Sequence, residues 1–223
     1  MFSRSTSIMQ LDGMIFDLDG TLGDTLPVCF AAFRTTFQSC FGRDYSDQEI
    51  RAMFGPSEEG IFERLMPGNA EEGLAMYLRE YNRSHSRCQE PFPGIRTVLL
   101  MLKSKGVRLA IVTGKGPRSA AISLDKMGLA DLFDTVEAGS PEGGVKPECM
   151  RSVLAGWSID PGRAACLGDA PSDIRSAQEV GAIALGAAWA DTADHQALEV
   201  LNPHKTFRTT GEFARWVIDS VEG

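Results

Sequence analysis

Asp17 and Asp19 stand two residues apart in FDLDGTLGD, directly after an apolar run. Two carboxylates in unlike surroundings suit acyl-phosphate chemistry: one attacks phosphorus, the other protonates the leaving alcohol and then deprotonates water. If the preceding strand persists through them, both side chains point to the same side. Gly20 permits a tight backbone path, and Thr21 offers a hydroxyl and an amide to phosphate oxygens. The same string also reads as an Asp-rich turn that caps its own backbone.

A second acidic group is Gly168-Asp169 with Asp173. Asp169 is placed to ligate a hard cation, and Asp173 falls in a first helical turn, where negative charge is favoured. Each also reads as an ordinary loop or first-turn acid. Carboxylates converging on a phosphate dianion repel one another, so a divalent cation is close to a physical requirement, and Mg²⁺ suits sparse oxygen ligation. Thr113 ends another apolar run and can bond a phosphate oxygen; Gly114 exposes the next amide, and a helix starting near Pro117 adds a positive dipole end. Lys115 and Lys146 compete to neutralise the transferring group. Lys146 is preferred because Pro147 fixes its backbone direction at a helix start, and Lys115 reads as a solvated loop lysine.

These groups need a scaffold. Short apolar runs at 14–18, 107–112, 135–138, 164–167 and 183–185 alternate with helix-periodic stretches at 95–105, 117–128, 147–157 and 172–181. That alternation predicts an α/β fold, a Rossmann-like parallel sheet flanked by helices. Open sheets of this kind bind ligands beyond the carboxyl ends of their strands, where the polar groups fall. Residues 24–90 break the rhythm. Leu26, Phe30, Phe33, Phe37 and Phe41 form one helical stripe, and Leu74, Tyr77, Leu78 and Tyr81 a second. The expected division is a catalytic core of 8–22 plus 91–223 and an inserted all-helical cap of 23–90.

Hydrophobic residues make up 43% and charged residues 23%, which excludes disordered and fibrous classes. The net charge of −8 provides no general field for nucleic acid or an anionic membrane surface, so any phosphate must be held locally. The expected partner is a small phosphorylated metabolite, with no nucleic acid and no membrane, on a monomer or homodimer. Five scattered cysteines without metal spacing predict reduced thiols, with Cys166 a core residue. The opening MFSRSTSIMQ holds no apolar core of signal-peptide length, and no run approaches the ~18 apolar residues of a membrane span. A cytoplasmic protein is expected. His85, His195 and His204 read as surface residues, and Trp157 and Trp216 as packing residues.

Taken together, DLDGT followed by Leu22 and Asp24, then Thr113, Lys146-Pro147 and GDAPSD, resemble the four ordered motifs of the haloacid dehalogenase-type hydrolases. The resemblance runs through essentially the whole chain, and the insertion looks like the small cap of the phosphoglycolate phosphatase and β-phosphoglucomutase branch. It implies a Mg²⁺-dependent phosphatase with Asp17 as nucleophile and Asp19 as general acid/base. It implies Mg²⁺ on Asp17, the Asp19 backbone carbonyl and Asp169, with Asp173 in support, and the phosphoryl group on Thr113 and Lys146. The acid at Asp19 points to phosphoryl transfer rather than dehalogenation. Gly114, Val145 and Ala190 depart from residues common in relatives, without removing a catalytic group. A phosphomutase or a non-catalytic phosphate-binding relative would share these motifs. Within the cap, Glu58, Glu59 and Arg64 read either as substrate contacts or as a solvated helix face. Segments near Gly23 and 92–94 are the expected hinges.

Overall fold

Every residue of the first strand, β1 (Gly13–Phe16), is buried, as a strand with neighbours on both edges and helices on both faces requires. The computed structural model describes residues 11–221; the start of the core placed at residue 8, and the reading of the first ten residues, lie outside them. β1 runs parallel to β2 (Arg108–Val112) on one side and β4 (Ala164–Gly168) on the other. With β3 (Thr135–Glu137), β5 (Ile183–Ala187) and β6 (Lys205–Phe207), they form one parallel sheet in the order β3-β2-β1-β4-β5-β6. The expected α/β architecture is what folds.

Side chains alternate across β1. Met14 and Phe16 pack with α5 (Ile95–Ser104) and α10 (Thr210–Val221), while Ile15 packs with α7 (Lys146–Trp157), α8 (Pro171–Val180) and α9 (His195–Glu199). β1 ends two residues before the predicted boundary. Asp17 still donates its amide to the Leu167 carbonyl, but the chain then turns on Gly20 (φ +75), whose amide bonds Gly23. Asp17 and Asp19 therefore do not share a persistent strand. β6 is an addition that the sequence pattern does not announce, because its three residues are too few to establish a period.

Between β1 and α5 the described residues hold helices only: α1 (Leu26–Phe41), α2 (Asp47–Arg51), α3 (Glu58–Leu65), α4 (Ala70–Ser84) and a short tight turn at His85–Arg87. The α1 stripe buries Leu26, Phe30, Phe33 and Phe37, and Phe33 meets Tyr77 of α4 at 4.3 Å between ring centroids. Phe41 departs from the expected stripe and is exposed beside the C-terminal Gly42. Burial of each large apolar side chain favours this packing by about 1.5–3 kcal/mol. The segment leaves and rejoins the core at one place, where the Phe92 amide donates to the Leu22 carbonyl at 2.9 Å. Trp157 and Trp216 pack against the two faces of the core as expected. All five cysteines are free thiols. Among the described residues, no helix is long and apolar enough to cross a membrane.

Candidate active site

Strand order reverses at β1: the chain first builds toward β3, then crosses to β4 on the opposite side. Such a switch point opens a crevice at the carboxyl ends of the strands. Asp17 follows β1, Thr113 follows β2 and Asp169 follows β4, so three remote segments meet there. α6 (Pro117–Lys126), α7 and α8 begin around the same crevice, each with a proline in its first turn.

Asp17, Asp169 and Asp173 each offer a carboxylate oxygen, and these three atoms lie within 4.8 Å of one another. Lys146, the first residue of α7, bonds Asp17 Oδ1 at 3.0 Å and also Asp173 Oδ1. The second oxygen of Asp173 accepts the Ala170 amide at 3.0 Å. Gly168 makes that fold-back possible, since a side chain there would collide with Asp173.

Burial raises the pKa of Asp17, and Asp173 adds to the effect while Lys146 opposes it. Burial, then Asp17 and Asp173, push the Asp169 carboxyl well above the usual carboxylate range. For the Lys146 ammonium burial works the other way, yet Asp17 and Asp173 outweigh it and its pKa rises. A buried set of hard oxygen donors, with two carboxyls pushed up in part by mutual repulsion, fits a divalent cation.

Thr113 and Gly114 line the cavity above this cluster. A side chain at Gly114 would meet only Lys146 Cε, at 3.9 Å, so glycine leaves that wall open. Gly20 and Thr21, expected to bind phosphate, are placed against Asp169. Thr21 Oγ1 donates to Asp169 Oδ1 at 3.4 Å, and any side chain at Gly20 would collide with the Asp169 carboxylate. Both residues seat Asp169, and neither lines the cavity.

Asp19 stands apart from the three converging acids. Its Oδ1 accepts from Thr25 Oγ1 at 2.5 Å and its Oδ2 from Lys115 Nζ at 3.3 Å. Lys115 is a correction: the expected solvated loop lysine has a side chain only 1% exposed. Glu58 is a second. It is not a solvated helix residue but is buried at the edge of the cavity, where Oε2 accepts the Gly116 amide at 2.5 Å and Oε1 accepts Ser119 Oγ at 2.7 Å. The N-terminus of α6, expected to face phosphate, is thereby taken by Glu58. His85 is a third correction. It is fully buried, with Nδ1 donating to the Cys88 carbonyl at 2.7 Å and Nε2 lying 3.1 Å from Ser123 Oγ. No local signal marks the burial of these three: Lys115 and Glu58 meet partners tens of residues away, and His85, beside the nearby Cys88 carbonyl, also meets Ser123. His195 stays near the surface beside Arg208, and His204 is exposed.

Burial alone would raise the Glu58 pKa, but Lys115, the Ser119 hydroxyl and the Gly116 amide outweigh it, and the value falls below the ordinary 4.5. A lowered folded-state pKa adds stability that is present above pH 4.5 and lost as pH falls through the depressed value. Glu58→Gln cannot titrate, so its stability should depend less steeply on acid in that range. Urea unfolding between about pH 3 and pH 7 reads this directly, and an unchanged acid slope would refute it.

The cavity holds about 500 Å³. Asp17, Asp169 and Lys146 belong to its core side, and Leu26, Phe33, Phe54 and Ile61 of the inserted segment give it an apolar wall. That segment is docked on the core. The Ser57 amide donates to the Ser140 carbonyl at 2.8 Å, and Arg118 bonds both oxygens of Glu71 at 2.7 and 3.0 Å. A side chain at Gly60 would collide with the Pro141 carbonyl, so glycine sets how closely α3 approaches.

Residues 14–187 match the family model described as haloacid dehalogenase-like hydrolase. Pyrophosphatase PpaX of Halalkalibacterium halodurans is 29% identical over 175 residues, covering 78% of this chain and 81% of that protein. A phosphoglycolate phosphatase of Neisseria meningitidis is 27% identical over 193 residues, 82% of each chain. Among solved structures, a haloacid dehalogenase-like family hydrolase from Streptococcus pneumoniae superposes with a TM-score of 0.74 at 25% identity, covering 92% of this chain and 98% of that one. CbbY from Rhodobacter sphaeroides, solved with phosphate, shares the fold with a TM-score of 0.76 at 19% identity, covering 92% and 96%.

Proposed function

The chain belongs to the haloacid dehalogenase-like hydrolase family, and on that premise we propose that it is a Mg²⁺-dependent phosphatase acting on a small phosphate monoester of phosphoglycolate or sugar-phosphate type. The observation that carries this reading is the meeting of Asp17, Asp169 and Asp173, with Lys146 bonding Asp17 and Asp173, beside a cavity of about 500 Å³ that Asp17, Asp169 and Lys146 line.

In this reading an oxygen of Asp17 attacks phosphorus. The Asp17–phosphorus bond forms as the ester P–O bond breaks, and Asp19 gives its proton to the departing oxygen. Asp19 then takes a proton from water as the water oxygen bonds phosphorus, and the Asp17–phosphorus bond breaks to release inorganic phosphate. Thr113, the Gly114 amide and Lys146 hold the phosphoryl oxygens throughout. Mg²⁺ would sit on Asp17, the Asp19 carbonyl and Asp169, with Asp173 acting through Lys146, and would offset the charge of the phosphoryl group. Residues 23–90 serve as a cap that keeps bulk water from the reacting centre. The relatives named pyrophosphatase and phosphoglycolate phosphatase support a small anionic substrate.

Phosphate release from phosphoglycolate, sugar phosphates, nucleoside monophosphates and pyrophosphate, with Mg²⁺ and with chelator, tests this. Release that disappears with chelator and returns on adding Mg²⁺ is expected. Silence across the panel from folded, Mg²⁺-loaded protein would overturn hydrolysis in favour of a phosphomutase or a non-catalytic phosphate-binding relative.

A further inference from the structure

We propose that Lys115 is a positioning residue for Asp19 and that Glu58 locks Lys115 in place, so that docking the helical segment and aiming the proton donor are one event. This rests on the reading of Asp19 as general acid/base.

An ammonium has three N–H donors and no acceptor. Lys115 Nζ lies 3.3 Å from Asp19 Oδ2, 3.4 Å from Glu58 Oε1, 4.4 Å from the centre of the Tyr81 ring and 3.9 Å from Cys29 Sγ. Lys115 borders the cavity, and its ammonium is held there by two carboxylates, one from each side of the boundary between core and inserted segment. Thr25 takes the other oxygen of Asp19, and the carboxylate plane is fixed from two directions. The Asp19 side chain remains 17% exposed, which leaves it access to a bound leaving group.

Glu58 supplies the coupling. It belongs to α3 of the inserted segment, yet its oxygens are held by Gly116 and Ser119 of the core, with Tyr77 of α4 at 3.2 Å. The Ser57–Ser140 bond and the close approach of Gly60 to Pro141 hold α3 at this depth. A buried ammonium is tolerated only while its carboxylates are present. Withdrawing α3 removes one of the two, so Lys115 has to move, and Asp19 loses one of its two restraints. The arrangement makes proton delivery conditional on the docked state.

The test separates proton delivery from overall integrity. A p-nitrophenolate leaves without a proton, whereas an alkoxide needs one, so kcat/KM for p-nitrophenyl phosphate and for the best alkyl phosphate of the panel is compared across variants. kcat/KM reports transfer up to the phosphorylated enzyme, before water enters. Lys115→Met and Glu58→Gln are expected to lose about a hundredfold on the alkyl ester, the lower range for general acid help, and at least about tenfold less on the aryl ester. Glu58→Gln is isosteric and carries the test if Lys115→Met fails to fold. Asp19→Asn is the reference. If Asp19→Asn itself falls equally on both esters, the acid/base reading of Asp19 is what fails. If Asp19→Asn is selective while Glu58→Gln and any folded Lys115→Met fall equally on both esters, or on neither, the positioning proposal is overturned.

Discussion

Asp17→Asn should cost roughly four to six orders of magnitude in turnover and leave the fold intact, on the scale seen when a nucleophile acting as part of a unit is removed. The amide keeps the shape of the carboxylate but is a very poor nucleophile toward phosphorus. Folding should not suffer, because the Asp17 carboxyl is held against a burial penalty and against the Asp173 charge, and an amide relieves both. Lys146 keeps Asp173 as its partner. Phosphate release and a thermal melt on the same sample check both halves. A variant within about tenfold of the native rate would sink the nucleophile assignment.

The second large effect is on stability. Lys146→Met removes the cation that, among the described residues, bonds both Asp17 and Asp173, leaving three close carboxylates to one another. Breaking a buried pair by deleting one partner costs about 3–5 kcal/mol, and the lower end applies here, because the Lys146 side chain is 16% exposed. The cluster then sheds charge by taking up protons, so the loss should grow as pH rises. Mg²⁺ should restore more stability to this variant than to the native protein, since it supplies the missing positive charge at the same place. Urea titrations with and without Mg²⁺ decide the matter. An unchanged midpoint in the metal-free protein would mean that Lys146 does not balance the cluster.

The sequence pattern announces five of the six strands and the long amphipathic helices, because each carries a period or an apolar run within its own span. Boundaries miss by one or two residues where local bonding decides them, as at Gly20, whose turn ends β1 early. Asp17, Asp19, Thr113, Lys146, Asp169 and Asp173 are legible because strand ends followed by helix starts collect polar residues at one edge of a parallel sheet. What lies beneath that layer is not legible. Lys115 stands between two glycines and reads as a surface loop residue, yet its burial depends on Glu58, Asp19 and Tyr81, each far away in sequence. Glu58 looks like a first-turn acid of α3, and only the packing of α3 on α6 makes it a buried ligand of Gly116. Gly20 and Thr21, expected to bind phosphate, lie against Asp169. Sequence spacing alone does not reveal that contact.

The bond from Phe92 to Leu22 bears on how the chain assembles. Gly13 of β1 pairs with Arg108 of β2, a contact that a disordered intervening chain would reach only after losing much of its conformational freedom; each doubling of such a loop adds about 0.6 kcal/mol. The intervening helices change that calculation. α1 and α4 pack on each other through aromatic rings, and their packing carries the two chain ends back to a common point. The segment beside the cavity thus acts as a splint for the pairing of β1 with β2, turning strand partners that are far apart in sequence into near ones.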